Sequence, residues 1–238
     1  MNQHEVVSIK RVEQRAMVSQ LQKSEATEVF YPDDDGQPMA SNTEQYRWIV
    51  MIQQNLDRLL PDAFVAGDLF WYPIEGRSDI SVAPDVMVAL GRPKGKRLSY
   101  KQWLEENMPP QVVFEILSPS NTRREMDAKL LFFERYHVEE YYLYDTERHE
   151  LSGFLRGEFG LTPIAEIGLG WTSPLLKIRF DMSADELQLF HPNGAPFLTY
   201  QEVLEKAELA EEKAELAEEK ALRLADKLRE LGVDPDQV

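Results

Sequence analysis

The sequence predicts an α/β fold: a mixed central sheet flanked by helices, with extra C-terminal β strands and a C-terminal coiled-coil helix. Three observations predict it. Between residues 41 and 145, apolar residues recur at helical spacing, then in short β-forming runs, in the order helix, strand, strand, strand, helix, strand. Strand-like pieces separated by Gly and Pro fill 148–190. A seven-residue repeat then takes over. The organisation read from this is an N-terminal extension over 1–40, an α/β domain over 41–190, a linker over 191–202, a coiled-coil helix over 203–232 and a tail over 233–238.

The extension ends in "YPDDDGQP", a turn-rich acidic stretch. The helix that follows, "SNTEQYRWIVMIQQNLDRLLP", opens with Ser41 and Glu44 at capping-box spacing. Trp48, Ile49, Ile52, Leu56, Leu59 and Leu60 mark its apolar face, and Pro61 ends it. "AFVAGDLFWYP" and "ISVAPDVMVAL" read as strands, with "IEGRS" turning between them. "GRPKGKRLSYK" carries Arg92, Lys94, Lys96, Arg97 and Lys101 and no acid. It reads as a solvated loop or as a contact for phosphate. "QVVFEILS" is the next strand; "SPSNT" breaks it, a helix runs from about Arg124 to Tyr136, and "EEYYLYD" is a strand again. "LSGFLR", "LTPIAEI" and "LLKIRF" are the added β pieces.

In the last segment, Ala207, Ala210, Ala214, Ala217, Ala221, Leu224, Leu228 and Leu231 alternate spacings of three and four, a heptad seam, with Gly232 suited to the position past the helix end. An Ala-rich seam buries little area, so pairing is expected to be weak in its first half and stronger from Leu224 to Leu231. A single solvated helix is the alternative.

Composition narrows the chemistry. The chain lacks Cys, which excludes disulfides, thiolate nucleophiles and thiolate zinc sites and suits a reducing cytoplasm. Its four histidines, His4, His137, His149 and His191, include no close pair of the kind that binds metal. No apolar run approaches the roughly 20 residues of a membrane span, and the N-terminus lacks the apolar core of a signal peptide, so the protein is expected to be soluble, cytoplasmic and not membrane-bound. With 42 acidic and 26 basic residues the net charge is −16. That field repels nucleic acid at long range, so binding to it requires a local basic patch.

Three charges break the apolar pattern. Asp85 follows Pro84 between β-forming residues. Glu115 sits in the middle of "VVFEILS", where Val113, Glu115 and Leu117 share one face and both faces read as buried. An unpaired buried carboxylate is costly. Glu115 is therefore either paired with a buried Arg or Lys or a ligand for a cation. Lys129 falls near the middle of the face spanned by Met126, Leu130, Phe132, Phe133 and Tyr136, although Glu125 one turn earlier could pair with it at the surface. Two carboxylates suit a hard cation such as Mg²⁺, and a lysine beside them can orient a water or stabilise charge in the transition state. That is equipment for metal-assisted phosphodiester hydrolysis.

At these residues the chain resembles the PD-(D/E)XK nuclease superfamily and, within it, the Uma family of putative restriction endonucleases. The resemblance is carried by Pro84-Asp85, by "VVFEILSPS" at 112–120, by Lys129 and by "HVEEYYLYD" at 137–145. It covers about 41–190, and the "KLRELGVDPD" ending is similar to longer members. It implies a restriction-endonuclease-like core, with Asp85 and Glu115 as ligands for Mg²⁺ or Mn²⁺ and Lys129 in the role of the motif's lysine. The usual spacing would put that lysine at 117, where this chain has Leu117. Glu125 stands where many members have Asp. A polar residue on the first helix, Glu44 or Gln45, is the candidate supporter of the site. The implied function is hydrolysis of nucleic acid, DNA in the first instance, by Asp85, Glu115 and Lys129, with Arg92, Lys94, Lys96 and Arg97 meeting phosphate. The second reading is an inactive nuclease fold that serves as an assembly module, a homo-oligomer joined through its C-terminal helix.

Overall fold

A computed structural model describes residues 29–33, 36 and 40–231. The expectations for residues 1–28, for the Gly232 cap and for the tail over 233–238 lie outside the described residues.

The first helix, α1 (Thr43–Leu59), begins one residue later than the capping-box spacing suggests. Its N-cap is Asn42, whose side chain accepts from Gln45 N at 2.8 Å; Ser41 instead donates to Gln45 Oε1. Strand β1 (Ala63–Gly67) ends sooner than the sequence indicates. At Asp68 the backbone turns into the left-handed region, φ 46°, and Asp68 N donates to the carbonyls of Pro84 and Asp85. The "AFVAGDLFWYP" run is thereby cut in two, and its second part, β2 (Trp71–Tyr72), joins a different sheet with β4 (Tyr100–Lys101). The second expected strand is also shorter: β3 spans Val86–Leu90. Pro84, which has no N–H, marks where the ladder begins.

After β5 (Val112–Leu117), helix α2 (Arg123–Arg135) is capped by Thr122 and Glu125 in a reciprocal capping box. It carries the chain to β6 (Glu140–Asp145), parallel to β5. Strands β7 (Glu150–Gly157) and β8 (Gly160–Pro163) follow as antiparallel neighbours. The main sheet is thus six-stranded and mixed, in the order β1-β3-β5-β6-β7-β8. Strands β9 (Leu169–Thr172), β10 (Arg179–Asp181) and β11 (Gln188–Phe190) form a separate three-stranded sheet. Helix α3 (Tyr200–Glu230), capped by Thr199 and Glu202, starts three residues before the expected 203 and is exposed except at the half-buried Ala225 and Leu228.

Both faces of the main sheet are covered. On one face, Val112, Phe114 and Ile116 of β5 and Tyr142 and Tyr144 of β6 pack with Trp48, Ile49 and Ile52 of α1 and with Phe180 and Leu189 of the small sheet. On the other, Val113 and Tyr141 pack with Phe133 of α2, and with Trp71 and Tyr100 of β2 and β4. Burying each large side chain contributes about 1.5–3 kcal/mol. The same strand alternation carries Glu115 to the α2 face.

Candidate active site

Glu115 lies deep beneath α2, its side chain only 2% exposed. Lys129 Nζ donates to Glu115 Oε2 at 2.7 Å. The helical phase therefore turns Lys129 inward, away from a surface pair with Glu125. Glu125 is spent on the helix start, where its backbone N–H bonds Thr122 Oγ and its carboxylate accepts from Thr122 N. Its charge still reaches both Glu115 and Lys129.

Asp85 arrives from the adjacent strand. Val86 pairs with Phe114 in the antiparallel β3–β5 register, and one more step sets Asp85 opposite Glu115 on the same face. The ladder does not continue there. Instead, Asp85 Oδ2 accepts from Ile116 N at 2.6 Å, and Gln45 Nε2 from α1 donates to Ile116 O at 2.7 Å. The Gln45 amide also acts to lower the Asp85 pKa. The end of the ladder is thus closed by two side chains, which orients the Asp85 carboxylate. Of the two candidate supporters on α1, Gln45 is at the site. Glu44 binds Arg47 and Trp48 Nε1, and Arg47 continues to Glu186, so Glu44 belongs to a surface network.

The electrostatics follow from this crowding. Burial pushes the Glu115 carboxyl up to about 8; Asp85 adds to the effect and Lys129 opposes it. Burial likewise lifts Asp85 to about 6, against the Lys129 charge and the Ile116 N–H. For Lys129, burial acts to depress the ammonium, but Glu115 and Asp85 outweigh it and the pKa is raised. The lysine stays charged.

Glu115 Oε2 is satisfied by Lys129, yet Oε1 is buried with no hydrogen-bond partner. Pairing with a lysine therefore accounts for only half of the carboxylate. The open oxygen, the all-oxygen donor set and two carboxylates lifted toward neutrality fit a hard divalent cation. Among the described residues, no group of three or more His, Cys, Asp or Glu is gathered for a metal. The protein's share would be two carboxylates, as is usual for Mg²⁺, which keeps several waters.

Beside the site, at the C-terminal ends of the parallel β5 and β6 and the N-terminus of α2, opens a cavity of 660 Å³. Leu117, Ser118, Asn121, Arg123, Met126 and Arg148 line it. The expected Glu-x-Lys position, Leu117, thus forms a wall of the cleft.

The basic loop after β3 stands elsewhere. β3 runs from Asp85 toward Gly91, so the loop leaves the end of the strand opposite the site, roughly 20 Å away at about 3.3 Å per residue. Arg92 pairs with Glu106 at 3.0 Å, Lys94 with Asp57 at 2.8 Å and Arg97 with Glu105 at 2.7 Å; Lys96 makes no ion pair among the described residues. This placement gives no support to the phosphate contact expected of Arg92, Lys94, Lys96 and Arg97. Their partners lie on other elements, which an acid-free loop sequence does not reveal.

Sequence reasoning passed over Tyr141. It reads as one aromatic in "EYYLYD", but β6 places it on the Glu115 face next to β5. Strand parity could have indicated its face, but not its neighbour.

The fold and site define a mixed α/β protein with a buried Asp-Glu-Lys constellation at the splayed edge of two strands. The chain belongs to the Uma2 family, described as "Putative restriction endonuclease", whose profile matches residues 20–185. A solved structure titled as a putative nuclease belonging to DUF820, from Anabaena variabilis ATCC 29413, is similar at 14% identity and a TM-score of 0.44, covering 61% of this chain and 85% of that one. No curated protein matches the chain. No helix among the described residues is long and apolar enough to cross a membrane.

Proposed function

We propose that the protein is a Mg²⁺- or Mn²⁺-dependent endonuclease that hydrolyses phosphodiester bonds of DNA in the cytoplasm. The observation that carries this reading is the Glu115 carboxylate, held on one oxygen by Lys129 and left open on the other, facing Asp85 across two strands. Asp85 and Glu115 hold the cation. Bound there, it supplies Lewis acidity on the scissile phosphate and makes a water more acidic.

The chain's own groups do the rest. Ile116 N–H holds the Asp85 carboxylate in place, and Gln45 fixes that peptide segment by donating to Ile116 O. Lys129 has three N–H groups and gives one to Glu115. The other two can orient the attacking water or stabilise negative charge on the phosphoryl oxygens. Burial under α2 strengthens each of these interactions. The cleft carries Arg123 and Arg148 but also Asp145 and Glu147, with Arg148 paired to Asp145 at 3.9 Å, so Arg123 is its cation for a phosphate in a chain of net charge −16.

The test is conversion of supercoiled plasmid with Mg²⁺ by wild type and by Glu115→Gln, with folding of both checked by circular dichroism. Wild type is expected to cleave and the variant to lose at least about a hundredfold in rate. Equal cleavage refutes the site. A folded wild type with no saturable Mn²⁺ binding refutes the nuclease reading and favours an assembly module.

We also propose that α3 joins two copies of the chain. The helix spans roughly 46 Å at 1.5 Å per residue. With the Ala and Leu seam at heptad positions a and d, Lys206, Lys213, Lys220 and Lys227 occupy g, and Glu211 and Glu218 occupy e. Lys213, Glu211 and Glu218 have no opposite charge three or four residues away on their own helix. A parallel partner would set Lys206 against Glu211 and Lys213 against Glu218 of the other copy, whereas an antiparallel one would face Lys with Lys.

A further inference from the structure

Two buried side-chain polar atoms among the described residues lack a hydrogen-bond partner, Glu115 Oε1 and the Tyr141 hydroxyl. Their residues stand on adjacent strands. In the parallel β5–β6 pair, Val113 lies opposite Tyr141 and Glu115 opposite Leu143. Tyr141 and Glu115 therefore share one face, a single diagonal step apart, a separation that an aromatic side chain spans.

The Tyr141 ring has little freedom. It is 0% exposed, meets Phe133 edge-on at 4.8 Å and stacks on Phe154 at 5.8 Å. Burial raises its pKa first, and the Glu115, Asp85 and Glu125 carboxylates raise it further, so the phenol remains a proton donor. A buried hydroxyl without a partner costs on the scale of a lost hydrogen bond and calls for an explanation.

The two open groups are chemically complementary, since a phenol donates and a carboxylate accepts. Bonded directly, each would satisfy the other, but both are open. A third group that accepts from the phenol and is held on the Glu115 side would complete both. A water has that chemistry, either as a hydrogen-bond donor to the carboxylate or as a ligand of a cation held there.

We propose that Tyr141 is a positioning residue, whose hydroxyl donates a hydrogen bond to the oxygen of a water held at Glu115 in the cation-loaded site. This inference rests on the nuclease reading and deepens it. Tyr141 acts through the water and fixes its lone pairs, as outer partners of metal ligands do.

The experiment is Tyr141→Phe in the full chain, which removes the hydroxyl and keeps the ring packing. Three quantities are read: the thermal midpoint without cation, the Mn²⁺ affinity by calorimetry, and kcat and KM on plasmid DNA. The expected result is an unchanged or higher midpoint, Mn²⁺ affinity weaker by about tenfold or more, and a similar fall in kcat with KM unchanged. Wild-type Mn²⁺ affinity and kcat in the variant overturn the proposal while leaving the nuclease reading in place. A lowered midpoint with unaltered Mn²⁺ affinity also overturns it, because the hydroxyl would then serve a structural water. A wild type that binds no Mn²⁺ removes the nuclease reading and this inference with it.

Discussion

Replacing Glu115 by Gln keeps the shape of the side chain and removes its ionisation, so it isolates what that proton does for stability. In the folded protein, burial pushes the carboxyl up to about 8 from an ordinary value of 4.5. Between those two values the folded chain holds a proton that the unfolded chain has released. The contribution to stability is therefore complete below the unfolded pKa and is lost as pH rises through the folded one. The rise from 4.5 to about 8 corresponds to roughly 5 kcal/mol at most. Asp85, raised to about 6, acts in the same direction at lower pH. His191, depressed by burial and then by Arg58, acts in the opposite direction. Both remain in the variant, so the difference between wild type and variant reports Glu115. Urea unfolding from pH 5 to 8.5 without divalent cations measures it. The wild type should lose stability relative to Glu115→Gln by about 2–4 kcal/mol across that range, most steeply between about pH 5.5 and 7.5 and levelling off above the folded value. Adding Mg²⁺ should shrink the loss, because a cation at the carboxylate pair replaces the proton. Two curves that stay parallel within about 0.5 kcal/mol would mean that Glu115 ionises like a surface carboxylate, and the reasoning from burial would be wrong.

Two further expectations concern binding. At pH 7, Mn²⁺ must displace protons held on Glu115 and Asp85, so the calorimetric heat should change between buffers of different ionisation enthalpy, corresponding to release of on the order of one proton per cation; a heat independent of buffer contradicts this. For α3, sedimentation of the full chain should give a dimer that the double substitution Leu224→Glu and Leu228→Glu converts to a monomer, because both leucines lie on the seam. A monomeric wild type, or a dimer that survives the substitutions, rules out the helix as the contact.

Much of the fold was legible because it is local. The helical phase of Met126, Leu130 and Phe133 located Lys129 on the inner face of α2, and the alternation of Val112 to Leu117 placed Glu115 under that helix. Errors arose where a distant group decides. The cap of α1 fell on Asn42 rather than Ser41 because Gln45, whose side chain takes Ser41's hydrogen bonds, is drawn to Ile116, 71 residues on. The run from Ala63 to Pro73 broke at Asp68 because its N–H is taken by the Pro84 and Asp85 carbonyls. The partners of the basic loop are likewise out of local view, since Asp57, Glu105 and Glu106 are supplied from outside it.

The sequence by itself determined which residue types are present, the periods at which they recur and hence which face of its own element each occupies. That was enough to single out Asp85, Glu115 and Lys129, since a charge within an apolar period is visible without knowing its neighbours. Only the tertiary structure decided that Glu115 keeps one oxygen open, that Gln45 rather than Glu44 reaches the Ile116 peptide that holds Asp85, and that Tyr141 is left unpartnered on the next strand. The physical reason is that hydrogen bonding is saturable and pairwise. Whether a buried group is satisfied depends on strand register and on partners brought from far along the chain, which no local period records.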